Sequence, residues 1–376
     1  MLMNYDVIIL GGGPAGSTAA NILSGAGVST ALIEKNIYPR EKTCAGILTT
    51  KAISFLSENL SISEIKQAFS SNKVTIMHQK NSKVHITVQF PFTFVERQIF
   101  DSELLNTCRK KGTHVMEGLT VVKLFPNENK ILLSNGKFLT YEFLIAADGV
   151  LSSTRRQLGL ENIPTAFCIQ DKVKRELCPD LLARLQEVQL NFGDVPQGYS
   201  WIVPYQNDIV VGTGIFTNLI NYSELLVKHE ALCRHIGLPI QRNRRGAFVP
   251  IGGFNSQTQQ PYENIVFAGD AAGLANPLTG EGIYHALLSG FYAGKAFLRN
   301  AQKFRTTYIS FLQPVLEQLT EQQKLLPQYY NQILLNNILF QLKDCPEYLS
   351  LIFDNVISLE TKSYGSLIKE LQQLLR

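Results

Sequence analysis

Apolar residues run along this chain in two patterns. Unbroken runs occur at Asp6 to Leu10, Thr30 to Ile33, Phe143 to Ala147 and Ile265 to Ala268. They predict short strands buried in a parallel sheet. The first is followed at once by Gly11-Gly12-Gly13-Pro14-Ala15-Gly16, then by the small residues Ser17-Thr18-Ala19-Ala20-Asn21-Ile22-Leu23, which predict a tightly packed helix. Strand, glycine turn, helix and strand thus fit within about 30 residues, as a parallel crossover requires. From Lys73 to Phe94 the pattern becomes alternation, with Val74, Ile76, Val84, Ile86 and Val88 on one side and Lys80-Asn81-Ser82 as the turn. This predicts half-buried strands of another sheet, and the β pattern resumes from Leu190 to Gly214. Asp101 to Lys111 predicts a helix. The stretch beyond Gln313, rich in Leu, Gln and Glu with no glycine until Gly365, predicts more.

Length and composition narrow the class. A chain of 376 residues exceeds one compact core, so two domains are expected. Charged residues make up 18% and the net charge is +4, without a block of like charges, so no nucleic-acid arm is expected. The cluster Arg242, Arg244, Arg245 reads as a solvated loop. Met1 to Asp6 runs into the first strand without a basic region, so no secretory signal is expected, and no apolar run reaches the ~20 residues of a membrane span. Six scattered cysteines suit free thiols in a reducing cytoplasm. They suggest neither a metal site nor a disulfide framework.

The chemistry begins at Gly11-x-Gly13-x-x-Gly16. Gly11 permits a tight turn, Gly13 lets backbone approach a pyrophosphate, and Gly16 lets helix pack on strand. The helix N-terminus offers N–H groups to phosphate. Glu34, ending the second strand, is placed for a ribose diol. This motif fits a dinucleotide and does not choose between NAD and FAD. The architecture it implies is α/β: a doubly wound dinucleotide-binding domain (1–72, 97–160 and 262–300) interrupted by an antiparallel-sheet substrate domain (73–96 and 161–261), with a helical C-terminal region at 301–376.

Two further segments, Ala146-Ala147-Asp148-Gly149-Val150-Leu151-Ser152-Ser153-Thr154-Arg155-Arg156 and Phe267-Ala268-Gly269-Asp270-Ala271-Ala272-Gly273, resemble the "DG" and "GD" fingerprints of the para-hydroxybenzoate-hydroxylase-like flavoproteins. The resemblance implies bound FAD, with Asp270 at the ribityl chain and pyrophosphate and Asp148 fixing the turn beside the cofactor. Within that superfamily, Asn276-Pro277-Leu278-Thr279-Gly280-Glu281-Gly282-Ile283 resembles the geranylgeranyl reductase branch. So do Pro39-Arg40-Glu41-Lys42-Thr43-Cys44-Ala45-Gly46, Glu96-Arg97-x-x-Phe100-Asp101-x-x-Leu104 and Gly198-Tyr199-Ser200-Trp201-Ile202-Val203-Pro204. It departs from that branch at Ala45, usually glycine, at Val203, usually phenylalanine, and at Tyr205, where lysine is common. The resemblance spans roughly Tyr5 to Gly294. It implies cofactor contacts from Gly11, Gly13, Pro14, Ala15, Gly16, Glu34, Lys35, Arg40, Cys44, Ala45, Gly46, Arg97, Asp148, Gly149, Gly269, Asp270, Pro277, Gly280, Glu281, Gly282 and Ile283.

The activity implied is reduction of carbon–carbon double bonds in an isoprenoid chain, by hydride from reduced flavin and a proton from an acid. Cys44 and Tyr199 are the candidate acids. Tyr199, Trp201 and Pro204 are expected on the cavity wall, with Tyr199 and Trp201, two apart on a strand, on one face. Two other readings stand beside it. One is an oxygen-using hydroxylase or halogenase, since Tyr199 to Pro204 partly resembles the halogenases' W-x-W-x-I-P. The other is a flavin-binding protein without turnover. The electron donor, NAD(P)H or a ferredoxin-like protein, stays open. The segment Leu325 to Leu342 reads as an amphipathic cover of the cavity or as peripheral contact with the inner face of a membrane.

Overall fold

The computed structural model describes residues 3–78, 82–182, 185–216, 220–241, 244–252 and 262–329, with 346–347, 349–350 and 353–354. The predicted parallel sheet is present. Its strands run side by side as His114–Glu117, Thr30–Glu34, Met3–Leu10, Phe138–Ala146 and Ile265–Phe267. Register matches Leu10 to Ile33 and to Ala146, and Ala146 to Phe267, all parallel. The carboxyl ends of four strands therefore meet at one edge. Three segments far apart in sequence (Gly11 onward, Ala147 onward and Ala268 onward) leave the sheet there. The strands Val121–Phe125 and Lys130–Leu133 extend it antiparallel beyond Phe138–Ala146. The unbroken apolar strands are explained by cover on both faces: Val7, Ile9 and Ile145 pack with one helical layer, and Ile8, Ile33 and Leu144 belong to the cluster on the other face.

The glycine-initiated helix is Pro14–Gly25, and Ile283–Arg299 packs along it. The stretch after Gln313 continues a helix already begun, Phe304–Tyr329. Phe304, Tyr308 and Leu312 repeat every four residues and sit in the core of the first domain, where the Tyr308 hydroxyl donates to the Phe267 carbonyl at 2.7 Å. The start of the C-terminal region thus closes the dinucleotide domain. Leu349 and Phe353 pack against the other sheet with Val74 and Phe92. Of the Leu325 to Leu342 segment, residues after Tyr329 lie outside the described residues. Among the described residues, no helix is long and apolar enough to cross a membrane.

The second sheet has eight strands in the order Arg245–Pro250, Thr165–Lys174, Asp208–Ile215, Gly198–Pro204, Val188–Phe192, Gln67–His78, Ser82–Val95 and Ile47–Leu48. Neighbours are antiparallel, as expected, except Val188–Phe192 beside Gln67–His78, which is parallel. The alternating residues Val74, Ile76, Val84, Ile86 and Val88 are buried together. The Gln67–His78 strand starts ahead of the alternation. Its polar beginning pairs with Phe92 to Val95 across a register shift, a long-range pairing that carries no local pattern.

Candidate active site

A cleft of about 380 Å³ lies at the carboxyl edge of the parallel sheet. Gly11 turns there with φ 103°, and a side chain on it would stand 2.3 Å from the Ala147 carbonyl oxygen, so the first and second motifs touch through bare backbone. Gly13 precedes the Pro14–Gly25 helix, whose first N–H groups have no side-chain cap. Nothing nearer than the Arg40 guanidinium, at 3.8 Å, faces the Cβ position of Gly13. An open glycine before an uncapped helix N-terminus is what a pyrophosphate needs.

Glu34 is held firmly. One carboxylate oxygen accepts the Gly12 N–H at 2.8 Å, and the other accepts the Asn36 backbone and side-chain N–H groups at 2.9 and 3.0 Å. The oxygen that accepts from Gly12 retains a second lone pair for a diol. Asp148 turns away from that task. It accepts from Ser152, Ser153 and Thr154, including the Thr154 backbone N–H at 3.0 Å, and so fixes the turn into the helix Ser153–Gln157. Asp270 lines the cleft beside Gly282.

Of the expected cofactor contacts, Gly11, Gly13, Pro14, Ala15, Glu34, Lys35, Arg40, Cys44, Arg97, Asp148, Gly149, Gly269, Asp270, Gly280, Gly282 and Ile283 line this cleft. Gly16, Ala45, Gly46, Pro277 and Glu281 do not. Gly16 lies beneath Gly11, and Pro277 is buried within its loop. The Glu281 carboxylate turns back to accept the Tyr284 N–H at 2.8 Å and to face His285 at 3.3 Å.

The loop from Lys35 to Gly46 forms one wall. The Tyr38 hydroxyl donates to the Gly12 carbonyl at 2.7 Å and receives the Arg40 Nε–H at 3.0 Å. Asp101 is fully buried and serves two guanidiniums, taking Arg97 on both oxygens at 2.8 and 2.9 Å and Arg40 at 3.0 Å. Burial works against the Arg97 charge, but Asp101 and Cys44 beside it raise its pKa overall. Arg97 stands beside Cys44, and the Gly46 N–H lies 3.3 Å from the Cys44 sulfur. On the far wall the edge strand Arg245–Pro250 contributes Ala247, Phe248 and Val249, and Arg245 pairs with Glu41. Arg244 is likewise paired, to Asp171 and Glu230, whereas Arg242 lies outside the described residues.

Tyr205, one of the departures noted above, clamps the Cys44 loop. Its buried hydroxyl donates to the Ala45 carbonyl and lies 3.4 Å from that of Val95, and burial pushes its pKa up. Tyr205→Phe leaves these carbonyls unpaired. The expected loss is about 1–3 kcal/mol in urea unfolding, with faster alkylation of Cys44.

The aromatic wall adjoins the glycine loop. Tyr199 and Trp201 share a face, with ring centroids 5.7 Å apart, and Tyr199 stacks on Phe216 at 5.8 Å. The Tyr199 hydroxyl donates to the Thr279 carbonyl at 2.7 Å, and Phe216 reaches within 3.5 Å of the Cβ position of Gly280. Trp201 covers Gly212, while the Pro204 carbonyl accepts from Arg175 at 3.0 Å.

Among the described residues five cysteines are free. Burial pushes the Cys108 and Cys168 thiols up to about 12. An unfolded thiol ionises near ~8.5, so above that pH the unfolded chain holds fewer protons than the native one. Their contribution to stability is intact below ~8.5 and falls as pH rises toward 12. Urea midpoints across that range should therefore decline. Iodoacetamide at neutral pH should modify half-buried Cys44 first and reach Cys108 and Cys168 only on unfolding.

Comparison with known proteins agrees with this geometry. The chain matches the FAD binding domain family over residues 4–170. It is 31% identical over 308 residues to a digeranylgeranylglycerophospholipid reductase of Methanococcus aeolicus, covering 77% of this chain and 76% of that one. Against the geranylgeranyl diphosphate reductase of Rhodobacter capsulatus it is 28% identical, covering 78% and 75%. A geranylgeranyl bacteriochlorophyll reductase-like structure from Thermoplasma acidophilum superposes with a TM-score of 0.78 at 20% identity, covering 100% of each chain. The flavin-dependent brominase Bmp2 and the Pseudomonas aeruginosa monooxygenase PqsL share the fold alone, at 17% and 16% identity.

Proposed function

Since the chain belongs to the geranylgeranyl reductase family of FAD-dependent oxidoreductases, we propose that it reduces carbon–carbon double bonds in an isoprenoid chain of the geranylgeranyl type. The observation that carries this reading is the direct junction of cleft and aromatic wall, where Tyr199 is bonded to Thr279 and Phe216 rests against Gly280. An isoprenoid tail has no polar handle, so it is recognised by apolar surface and shape. Bound FAD, once reduced, supplies the hydride.

The protein's own groups do the rest. The uncapped helix after Gly13 receives the pyrophosphate, Glu34 takes a ribose diol, and Asp270 takes the polar chain between pyrophosphate and ring. Asp148 acts through the turn it holds. Arg97 and Arg40, ordered by Asp101, keep the Cys44 loop against the cleft. Cys44 is the proton donor of this reading, being at the cleft wall, while the Tyr199 hydroxyl is committed to Thr279. The substrate is a prenyl diphosphate or a prenylated lipid, and a lipid brings the protein to a membrane surface.

The test is product mass. Dithionite-reduced protein is incubated anaerobically with geranylgeranyl diphosphate or a digeranylgeranylated glycerophospholipid. A gain of two hydrogens per reduced bond supports the reading. In Cys44→Ser the gain should slow while FAD content stays unchanged. Unchanged substrate mass across both lipid classes contradicts it.

A further inference from the structure

A second constellation lies away from the cleft, between the helix Tyr222–Ile236 and the strand Thr165–Lys174. Asp171 from the strand meets His229 and Cys233, one turn apart on the helix, and all three are buried to within 1% of full enclosure. We propose that Asp171, His229 and Cys233 bind a zinc-class divalent ion that pins this helix to the sheet carrying the aromatic wall.

The distances decide between two accounts of the cluster. His229 Nε2 lies 3.3 Å from Asp171 Oδ2, Cys233 Sγ lies 3.7 Å from His229 Nε2, and Cys233 Sγ lies 3.9 Å from Asp171 Oδ2. As a hydrogen bond the His229–Asp171 contact is long, and the two thiol contacts stand near the outer reach of sulfur hydrogen bonds. As edges of a coordination shell the nitrogen–oxygen edge matches, and the two edges to sulfur need only a slight contraction. Zinc bonds of ~2.0–2.1 Å to nitrogen and oxygen and ~2.3 Å to sulfur, at tetrahedral angles, set the donors about 3.3–3.6 Å apart. Asp171 Oδ1 has no hydrogen-bond partner among the described residues, which leaves it for a fourth position as a bidentate carboxylate.

The surroundings suit such a site. The other ring nitrogen of His229 is 2.9 Å from Thr213 Oγ1, which in turn lies 3.1 Å from Ser200 Oγ. A partner on Nδ1 sets the ring so that Nε2 presents its lone pair to the cluster, as outer partners of metal-bound histidines do. Charge also closes. Arg244 lies 3.4 Å from Asp171 and 2.7 Å from Glu230. With a divalent ion bound, the Cys233 thiol gives its proton to solvent as the metal–sulfur bond forms. Asp171 and the thiolate then neutralise the ion, while Glu230 is shared by Arg244 and Arg234. Because Ser200 stands between Tyr199 and Trp201, the outer partners reach the strand that bears the wall.

FAD-loaded protein is supplemented with zinc, desalted and measured by elemental analysis and zinc-edge X-ray absorption. The proposal expects about one zinc per chain, with one sulfur at ~2.3 Å and the remaining donors at ~2.0–2.1 Å. It also expects Cys233→Ser to lose the sulfur shell, and removal of zinc to lower the melting temperature. Wild-type protein that retains no zinc, or retains it without sulfur in the shell, overturns the site and leaves a buried histidine–carboxylate pair. The wild-type spectrum decides even if Cys233→Ser does not fold, and neither result depends on isoprenoid turnover.

Discussion

Replacing Asp101 by asparagine is expected to lower stability by about 3–5 kcal/mol, the usual consequence of removing one partner from a buried ion pair. The side chain has no exposure and neutralises two guanidiniums, of which Arg97 is 9% exposed. Asparagine preserves the shape and one acceptor oxygen but leaves both cations without their anion. The damage reaches the site, because Arg97 stands beside Cys44 and Arg40 bonds the tyrosine that holds the loop to Gly12. Urea unfolding should show the lowered midpoint, and the purified variant should carry less FAD. A loss below ~1 kcal/mol would mean that the two arginines are solvated and that the pair is worth no more than a surface salt bridge.

Gly290→Ala is expected to destabilise the protein by about 1–3 kcal/mol or more and to reduce bound FAD, since overpacked cores cannot relax freely. Helix propensity alone argues the opposite, favouring alanine over glycine by ~1 kcal/mol. Sterics decide the sign. A methyl group at Gly290 would stand 2.1 Å from the Ala15 carbonyl oxygen and 2.9 Å from its carbon, both rigid backbone of the glycine-initiated helix. The helix Ile283–Arg299 must retreat. Its first residue, Ile283, and Ala15 on the facing helix both line the cleft, so the retreat parts two walls of the site. Melting temperature and flavin content check this. A variant as stable as the parent would show that the helices are not pressed together here.

Much of the dinucleotide half was legible in the sequence because its signals are local. The turn at Gly11, the uncapped start at Pro14 and the acid at Glu34 lie within one crossover, and apolar runs mark where the other two segments leave the sheet. The alternation from Val74 to Val88 likewise announced the second sheet. The residues that went unread depend on contacts between distant segments. Asp101 stands one turn from Arg97 on its own helix, but nothing there marks its second partner, Arg40, on another loop. Tyr205 was visible only as a departure, and its clamp on Ala45 joins segments 160 residues apart. Gly290 looks like an ordinary helix glycine until Ala15 is placed against it. His229 and Cys233 share a helix face, but Asp171 comes from another strand, so their clustering leaves no local signal. Phe304, Tyr308 and Leu312 lie ahead of the stretch read as helix beyond Gln313, and only contacts between distant segments place them in the core beside the parallel sheet.

The central claim is that electrons leave this flavoprotein into an isoprenoid double bond. The measurement that tests it most directly is anaerobic. FAD-loaded protein is reduced with dithionite, mixed without oxygen with geranylgeranyl diphosphate or a geranylgeranylated lipid, and followed at the oxidised-flavin absorption band, a signal that belongs to the cofactor. The band should return as saturated product forms, at a rate that depends on lipid concentration. A flavin that stays reduced with every lipid until air is admitted would contradict it, and would place this chain with the oxygen-using enzymes that share its fold.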